Sequence, residues 1–388
     1  MRFNFERMDI VNDFLIIGGG IVGSFIAREL SHYEGSVTLL EKGELAGVQT
    51  THNSALVHSP VVITPNKGYL RSRFALEGNR MYPKLIEAFD VPALSEGAFL
   101  LAMDDAQMNK AKKLATMARA RGIEAVHVYS GDAMREEEPN LTEHVVGGLD
   151  MPTAKTVDTK VLVERIASNA THNGATIKTG EEVTAIKPHT EYFTVHTASG
   201  NAYDARYVIN AAGIHNARVA SMVEEGVPYT MQPRAGEYYV IRPKAGEELS
   251  KRTLFPLPGK TTKGVLITPQ PNGTVLVGPS SRPQSSIEDN SVTQKGLQEV
   301  KDDVARRIKH VPYEQTIRTY AGVRSTIDHT DFYIHPSLEH KRFIHVAGTD
   351  SPGVPAAPAI AKYVVETIIG EQESLVKKFD ADPYKYHL

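Results

Sequence analysis

Asp13 to Glu41 reads DFLIIGGGIVGSFIARELSHYEGSVTLLE, and the rest of the chain is organised around it. Phe14-Leu15-Ile16-Ile17 is a short unbroken apolar run, as expected of a parallel strand buried on both faces, and it leads directly into Gly18-Gly19-Gly20-Ile21-Val22-Gly23. The spacing is Gly-x-Gly-x-x-Gly. Ile21, Val22, Phe25, Ile26 and Leu30 recur at helical spacing through Ile21 to His32, and Val37-Thr38-Leu39-Leu40 forms a second strand that ends at Glu41. Each glycine has a distinct use: Gly18 permits the tight turn, Gly20 lets a pyrophosphate approach the backbone, and Gly23 lets the helix pack close to the strand. Free amides at the helix start face the phosphates. Glu41 stands where a carboxylate accepts both hydroxyls of an adenosine ribose, which argues against a 2′-phosphate. Glycine turns occur in many loops, so the strand, helix and acid around this one carry the reading. They indicate a dinucleotide without choosing between flavin and nicotinamide.

Composition narrows the chemistry. A chain of 388 residues, 41% hydrophobic and 23% charged, has room for two or more domain-sized units with a large core. The formal net charge of -3 is spread without a basic tract, which disfavours nucleic acid or an anionic membrane surface as partner. There is no cysteine, which excludes disulfides, thiolate metal sites, cysteine nucleophiles and a cysteinyl-flavin link. No metal site is expected, and any redox chemistry needs a bound cofactor. No apolar run approaches the roughly 18 residues of a membrane span, and MRFNFERMDIVN lacks the features of a signal peptide. The expected location is cytoplasmic, with no transmembrane segment and with peripheral membrane contact left open.

Along the chain, a long helical pattern from about Gly68 to Phe89 has Leu70, Phe74, Leu76, Met81, Leu85 and Ile86 as its expected buried set, and His58 lies in a loop or short turn before it. Phe99 to Met103 reads as a strand, and Asp104 to Gly122 as a helix with a basic face of Lys110, Lys112, Lys113, Arg119 and Arg121. That face has no interleaved aromatics, so a solvated helix surface explains it better than a nucleic-acid site. Asp158 caps a helix that stops at Asn173-Gly174, and strands follow at Ala175 to Thr179, Val183 to Lys187, Tyr192 to Thr197 and Tyr207 to Gly213. From Pro233 the pattern becomes antiparallel, with a turn at Pro271-Asn272-Gly273 and an amphipathic helix from Thr293 to Lys309. The last portion returns to the strand-turn-helix pattern of the opening, with strand Phe343 to Ala347, a turn at Ser351-Pro352-Gly353, and a helix from Ala356 to Ile369. A nucleotide-binding unit split along the chain is implied.

Several motifs in order resemble the D-amino-acid-oxidase superfamily of flavoproteins, in the branch holding glycerol-3-phosphate oxidases and L-2-hydroxyglutarate dehydrogenases. They are IIGGGIVG, THNSALVH at 51–58, VINAAG at 208–213, RAGEYYVI at 234–241, TYAGVR at 319–324 and GTDSPGVPAAPAI at 348–360. The resemblance implies an α/β fold with a glutathione-reductase-type FAD-binding domain and a second, mainly antiparallel-sheet substrate domain. The expected division gives 1–85, 146–222 and 321–388 to the FAD-binding domain, and 86–145 and 223–320 to the substrate domain. It also implies noncovalent FAD, with cofactor contacts at Gly18, Gly20, Gly23, Glu41, Lys42, Ser54, Val183, Gly213, Ser351, Gly353 and Val354. A helix beginning near Val354 to Ala356 would aim its amides at the negative charge of a reduced flavin.

By the same resemblance, His58 is the candidate base. Alcohol oxidation needs a group of near-neutral pKa to take the hydroxyl proton while hydride leaves the same carbon, and imidazole suits this. His52 is read as structural. Ala55 and Pro60 depart from the family, which usually has glycines there, so the backbone around His58 is expected to be stiffer. Arg324 matches the arginine that holds the substrate's anionic group, and Lys263 a lysine of the glycerol-3-phosphate enzymes; two cations together favour a phosphate. The alternative reading of Lys263 is a solvated hairpin lysine. The expected reaction is oxidation of sn-glycerol 3-phosphate, a small anionic substrate, to dihydroxyacetone phosphate. Electrons then pass to oxygen, forming hydrogen peroxide, or to an electron-carrier protein. The alternatives are a 2-hydroxy-acid dehydrogenase of the L-2-hydroxyglutarate type, an amino-acid or amine oxidase, and a non-enzymatic flavin-binding regulatory module.

Overall fold

The computed structural model describes residues 12–257 and 264–387. Two large sheets organise them. In the first, of eight strands, the parallel strands lie in the order Phe343–Ala347, Ala202–Asn210, Asn12–Ile17, Val37–Glu41, Thr176–Thr179, and Asn12–Ile17 is central. Burial on both faces explains why Leu15, Ile16, Val208 and Ile209 are all fully enclosed. Helices Ile21–Ser31, Thr159–His172 and Gly353–Lys362 cover one face, with Phe25, Ile26, Leu30, Leu162, Ile166 and Ile360 packed into a single core. The antiparallel hairpin Val183–Pro188 and Phe193–Thr197 extends the edge of this sheet.

The second sheet has nine strands and is antiparallel except where Thr253–Pro256 runs beside Ala98–Ala102. Helix Gln294–Val304 presents Leu297, Val300 and Val304 to one face, as its spacing indicates, and helix Asp105–Arg119 lays Ala111, Ala115 and Ala118 on the other. Strand Gly147–Met151 pairs with Ala98–Ala102 and with His127–Ser130, and strand Thr316–Arg324 pairs with Arg234–Ile241. Residues 147–151 and 321–324 thus both belong to the nine-stranded sheet. A glycine pair with an aspartate, GGLDM, and a polar opening, TIRTY, gave neither segment the alternation of a half-buried strand.

The long helix is Tyr69–Ala88, and it buries a different set from the one expected. Phe74 and Leu85 are enclosed, but Ser72, Ala75, Gly78, Asn79 and Tyr82 take the remaining inward places, while Leu70, Leu76, Met81 and Ile86 are only half-buried. The cause is a very close approach to helix Gly353–Lys362, since a Cβ on Gly78 would fall 1.8 Å from the Pro355 carbonyl oxygen. Small residues must face inward there. The C-terminal helix begins at Gly353, earlier than expected, and passes into a π-helical stretch at Tyr363–Ile369.

Candidate functional site

The glycine turn opens on a cleft between the two sheets. Gly18 has φ of +111°, and its missing side chain matters for packing, because a Cβ would stand 2.5 Å from the Ala211 carbonyl oxygen. Gly20 lines the cleft, and a Cβ there would meet only Thr50 Oγ1, at 3.3 Å. Gly23 does not reach the cleft, and its part is to bring helix and strand together. Thr50 Oγ1 accepts from the Ile21 amide at 3.1 Å, which ties the helix start to the segment that later carries His58.

At one end, Glu41 accepts from the Gly19 amide at 2.6 Å and the Gly43 amide at 2.9 Å, so each carboxylate oxygen keeps a further lone pair for a ligand hydroxyl. Lys42 Nζ donates to His215 Nε2 at 2.8 Å, and burial, followed by the Lys42 charge, holds His215 below the usual histidine range. Val183 and Gly213 line the same cleft. Gly213 has φ of +57°, and the Ile214 amide beside it donates to Gln49 Oε1 at 3.0 Å. A cleft that narrows wherever a Cβ is added, with amides at a helix start and a carboxylate beyond them, fits a dinucleotide.

The opposite wall is the turn Thr349 to Pro355, including Ser351, Gly353 and Val354, at the start of helix Gly353–Lys362. No side chain caps that helix, and a Cβ on Gly353 would touch nothing within 4 Å; the Gly353 amide donates to Asp350 O and the Ala356 amide to Pro352 O, and Pro355 has no N–H, which leaves the Val354 amide to face a ligand. Arg71 fixes this turn. Its guanidinium donates to Ser351 O at 2.7 Å and Gly348 O at 3.1 Å and pairs with Asp350 at 2.8 Å. Asp331 in turn accepts from the Leu70 and Arg71 amides. Sequence reasoning missed Arg71, because nothing local distinguishes it from a solvated arginine on a helix.

His58, Ser54, Tyr238 and Arg324 line the part of the cleft between these walls. Strand Leu56–Val57, paired with Lys155–Val157, delivers His58, which is buried with its ring 5.5 Å from that of Phe255. Its segment is held from two sides: Asn79 donates to His58 O at 3.0 Å, and Arg121 donates to Pro60 O at 3.3 Å and Ile63 O at 3.0 Å. Arg121 is thus not part of a solvated basic face, since its burial serves the loop and lowers its pKa. Pro60 sits at the first position of the turn Pro60–Val62, where a missing N–H costs nothing.

Ala55 has φ of +55°, the left-handed region that favours glycine, with its amide donating to Asn53 Oδ1 at 2.6 Å. An L-residue there costs about 1–2 kcal/mol, and glycine adds back about 0.5–1 kcal/mol of chain entropy. Ala55→Gly is therefore expected to raise the denaturant midpoint slightly, and a fall would show that Ala55 contributes packing that outweighs the strain.

Arg324, at the end of strand Thr316–Arg324, stands opposite Arg234 in the ladder. Arg234 is engaged with Ser281, whereas the Arg324 guanidinium has neither ion pair nor side-chain hydrogen bond among the described residues. Tyr238 is stacked on Tyr320 at 4.7 Å, and its phenol is pushed up to about 12 by burial, with Arg324 pulling partly the other way. Lys263 lies outside the described residues, although Gly264 lines the cleft. Among the described residues no helix is long and apolar enough to cross a membrane.

Residues 13–367 match the FAD dependent oxidoreductase family. A glycerol 3-phosphate dehydrogenase of Caloramator mitchellensis is 32% identical over 374 residues, covering 96% of this chain and 77% of that protein. An L-2-hydroxyglutarate dehydrogenase of Escherichia coli K12 is 30% identical over 274 residues, 69% of this chain and 64% of that one. The dithionite-reduced L-alpha-glycerophosphate oxidase of Mycoplasma pneumoniae, solved with FAD bound, superposes with a TM-score of 0.89 at 25% identity, over 98% of this chain and 99% of that one. With the match running through both sheets and the cleft shaped for a dinucleotide, this chain belongs to the FAD dependent oxidoreductase family and is an FAD enzyme.

Proposed function

We propose that the protein oxidises sn-glycerol 3-phosphate to dihydroxyacetone phosphate and passes the electrons to oxygen. The observation that carries this reading is an arginine without an ion-pair partner among the described residues, in the same cleft as a buried histidine. A half-buried guanidinium with no carboxylate partner is costly unless a ligand supplies the anion, and its planar fork matches phosphate or carboxylate oxygens. Support for phosphate comes from the two relatives named for glycerol phosphate, and Lys263, next to the cleft residue Gly264, is the proposed second cation.

When bound, FAD supplies the acceptor for a hydride. The protein's own residues do the rest. Arg324 holds the phosphate and so orients the glycerol carbons toward His58. His58 takes the proton of the reacting hydroxyl as the C–H bond beside it breaks, so that the carbinol leaves as a ketone. Leu56, Leu266 and Tyr238 wall the space with apolar surface and limit water. The amide end of helix Gly353–Lys362 and the turn held by Arg71 favour the added negative charge on the cofactor side.

The test is anaerobic bleaching of the bound flavin. Glycerol 3-phosphate is expected to bleach it, while glycerol, L-2-hydroxyglutarate and common D-amino acids are not. Arg324→Leu should raise the apparent constant for glycerol 3-phosphate roughly ten- to a hundred-fold, as loss of a charged hydrogen bond worth about 1.5–3 kcal/mol implies. Bleaching by L-2-hydroxyglutarate in preference would move the assignment to the 2-hydroxy acids. Oxygen consumption with hydrogen peroxide formation, measured on the same preparation, tests the acceptor.

A further inference from the structure

We infer that Gln49 is a positioning residue that sets the placement of the anion-binding arginine relative to the cofactor floor. It stands in the segment between the glycine-turn unit and His58, and with one amide group it bridges the nine-stranded sheet and the turn Gly213–His215 that follows strand Ala202–Asn210. Its Nε2 donates to Val323 O at 3.0 Å, one residue before Arg324, and its Oε1 accepts from the Ile214 amide at 3.0 Å, beside Gly213. The Gly213 turn is built around this contact. A Cβ at Gly213 would lie 2.4 Å from Gln49 Oε1, so the glycine leaves the room that the amide occupies.

The backbone of the segment is fixed as well. Asn53 Nδ2 donates to Gln49 O and Thr50 O, both at 2.8 Å, Thr159 Oγ1 donates to Thr50 O at 2.7 Å, and the Ile21 amide reaches Thr50 Oγ1. Further along the same seam, Tyr320 OH donates to Asn53 O at 2.9 Å, and Gly322 packs so close that a Cβ would fall 1.9 Å from His52 O. Those contacts join the strand Thr316–Arg324 to the segment alone. Gln49 is different because it holds the strand end and the cofactor turn with the same rigid group, whose donor and acceptor ends are not interchangeable. The placement of the guanidinium over the cofactor turn is set there, and an anion site that loses its supporting contacts holds its ligand more weakly.

This inference rests on the reading of Arg324 as the anion holder, and the experiment separates the two. Gln49→Met keeps the length and removes both hydrogen bonds; Gln49→Asn keeps the chemistry but is one methylene too short to span the gap. Both variants, loaded with FAD, are titrated anaerobically with glycerol 3-phosphate and, without turnover, with inorganic phosphate followed by the flavin spectrum. FAD affinity is measured on the apoprotein. Both should weaken the phosphate and substrate constants about tenfold while the limiting reduction rate changes less, and FAD affinity should fall severalfold because the Ile214 amide loses Gln49 Oε1 as its acceptor. A merely structural role would lower thermal stability and leave the constants of the folded holoenzyme unchanged, which overturns the inference. Rescue by Gln49→Asn would overturn it too, because spanning would then be irrelevant. If Arg324→Leu binds phosphate as tightly as the unaltered protein, the anion reading itself has failed and the inference falls with it. If Arg324→Leu weakens binding and the Gln49 variants do not, only the inference has failed.

Discussion

His58→Ala is expected to bind FAD normally and to slow anaerobic flavin reduction by roughly 10²- to 10⁴-fold, the range associated with loss of a positioned general base. The argument rests on what surrounds the side chain. His58 is buried and lines the same cleft as Arg324, and the proposed reading has the substrate's anion on Arg324 and its carbinol against the imidazole. The backbone is bolted independently of the ring, through Asn79 to the His58 carbonyl and through Arg121 to Pro60 and Ile63. Truncation at Cβ therefore removes the proposed base without releasing the loop. The apparent substrate constant should move little, because the ring takes part mainly as the proton leaves. Reduction at the unaltered rate would remove His58 from catalysis, and loss of FAD would assign it to cofactor binding instead.

The first sheet was legible because burial on both faces writes itself into sequence as runs such as FLII and YVIN, and because the glycine spacing and Glu41 fix what lies at their ends. Asp158 caps its helix as expected, and Asp104 and Thr293 cap theirs by accepting from the Gln107 and Gly296 amides, although the helix after Thr293 ends at Val304, short of the expected Lys309. What escaped depends on contacts between distant segments. The Ala202–Asn210 strand starts earlier than its apolar part because its first residues pair antiparallel with Phe193–Thr197 before the rest pairs parallel with Asn12–Ile17. The inward face of Tyr69–Ala88 follows from one close helix crossing, which favours Ala75 and Gly78 over larger apolar neighbours. Among the candidate residues, the motif positions within the described residues share one cleft except Gly23, but their supports do not announce themselves. Arg71, Arg121 and Gln49 act through backbone carbonyls far away in sequence, and such partners leave no pattern of spacing. Ala55 is a middle case, since its departure from glycine was visible while the left-handed backbone that makes it matter was not.

Gly23→Ala and Gly20→Ala should fail in different ways, and the contrast tests the division of labour in the glycine turn. A Cβ on Gly23 would lie 1.9 Å from the Gly18 carbonyl oxygen and 3.1 Å from its carbon, so the added methyl meets rigid backbone with no side chain able to move aside. The helix Ile21–Ser31 must then lift off the central strand, and it packs against both Thr159–His172 and Gly353–Lys362 in the same core, so the displacement spreads. Overpacking commonly costs about 1–3 kcal/mol and occasionally more; a clash with backbone at the centre of the sheet belongs at or beyond the upper end. Against a typical total of roughly 5–15 kcal/mol, that predicts a protein recovered in low yield, with a markedly lower unfolding midpoint even before FAD is added. Gly20 differs in where its Cβ would point. It would stand 3.3 Å from Thr50 Oγ1 and otherwise face the cleft, with φ of -73° that any residue accepts. Gly20→Ala should fold with little change in the apoprotein's midpoint but bind FAD at least tenfold more weakly, because the methyl occupies the approach of the pyrophosphate to the amides. The two measurements are unfolding of the apoproteins and FAD titration of whichever variant folds. A folded Gly23→Ala protein of normal stability would show that the helix and strand can part without cost, and a Gly20→Ala protein with unchanged FAD affinity would place the pyrophosphate elsewhere in the cleft.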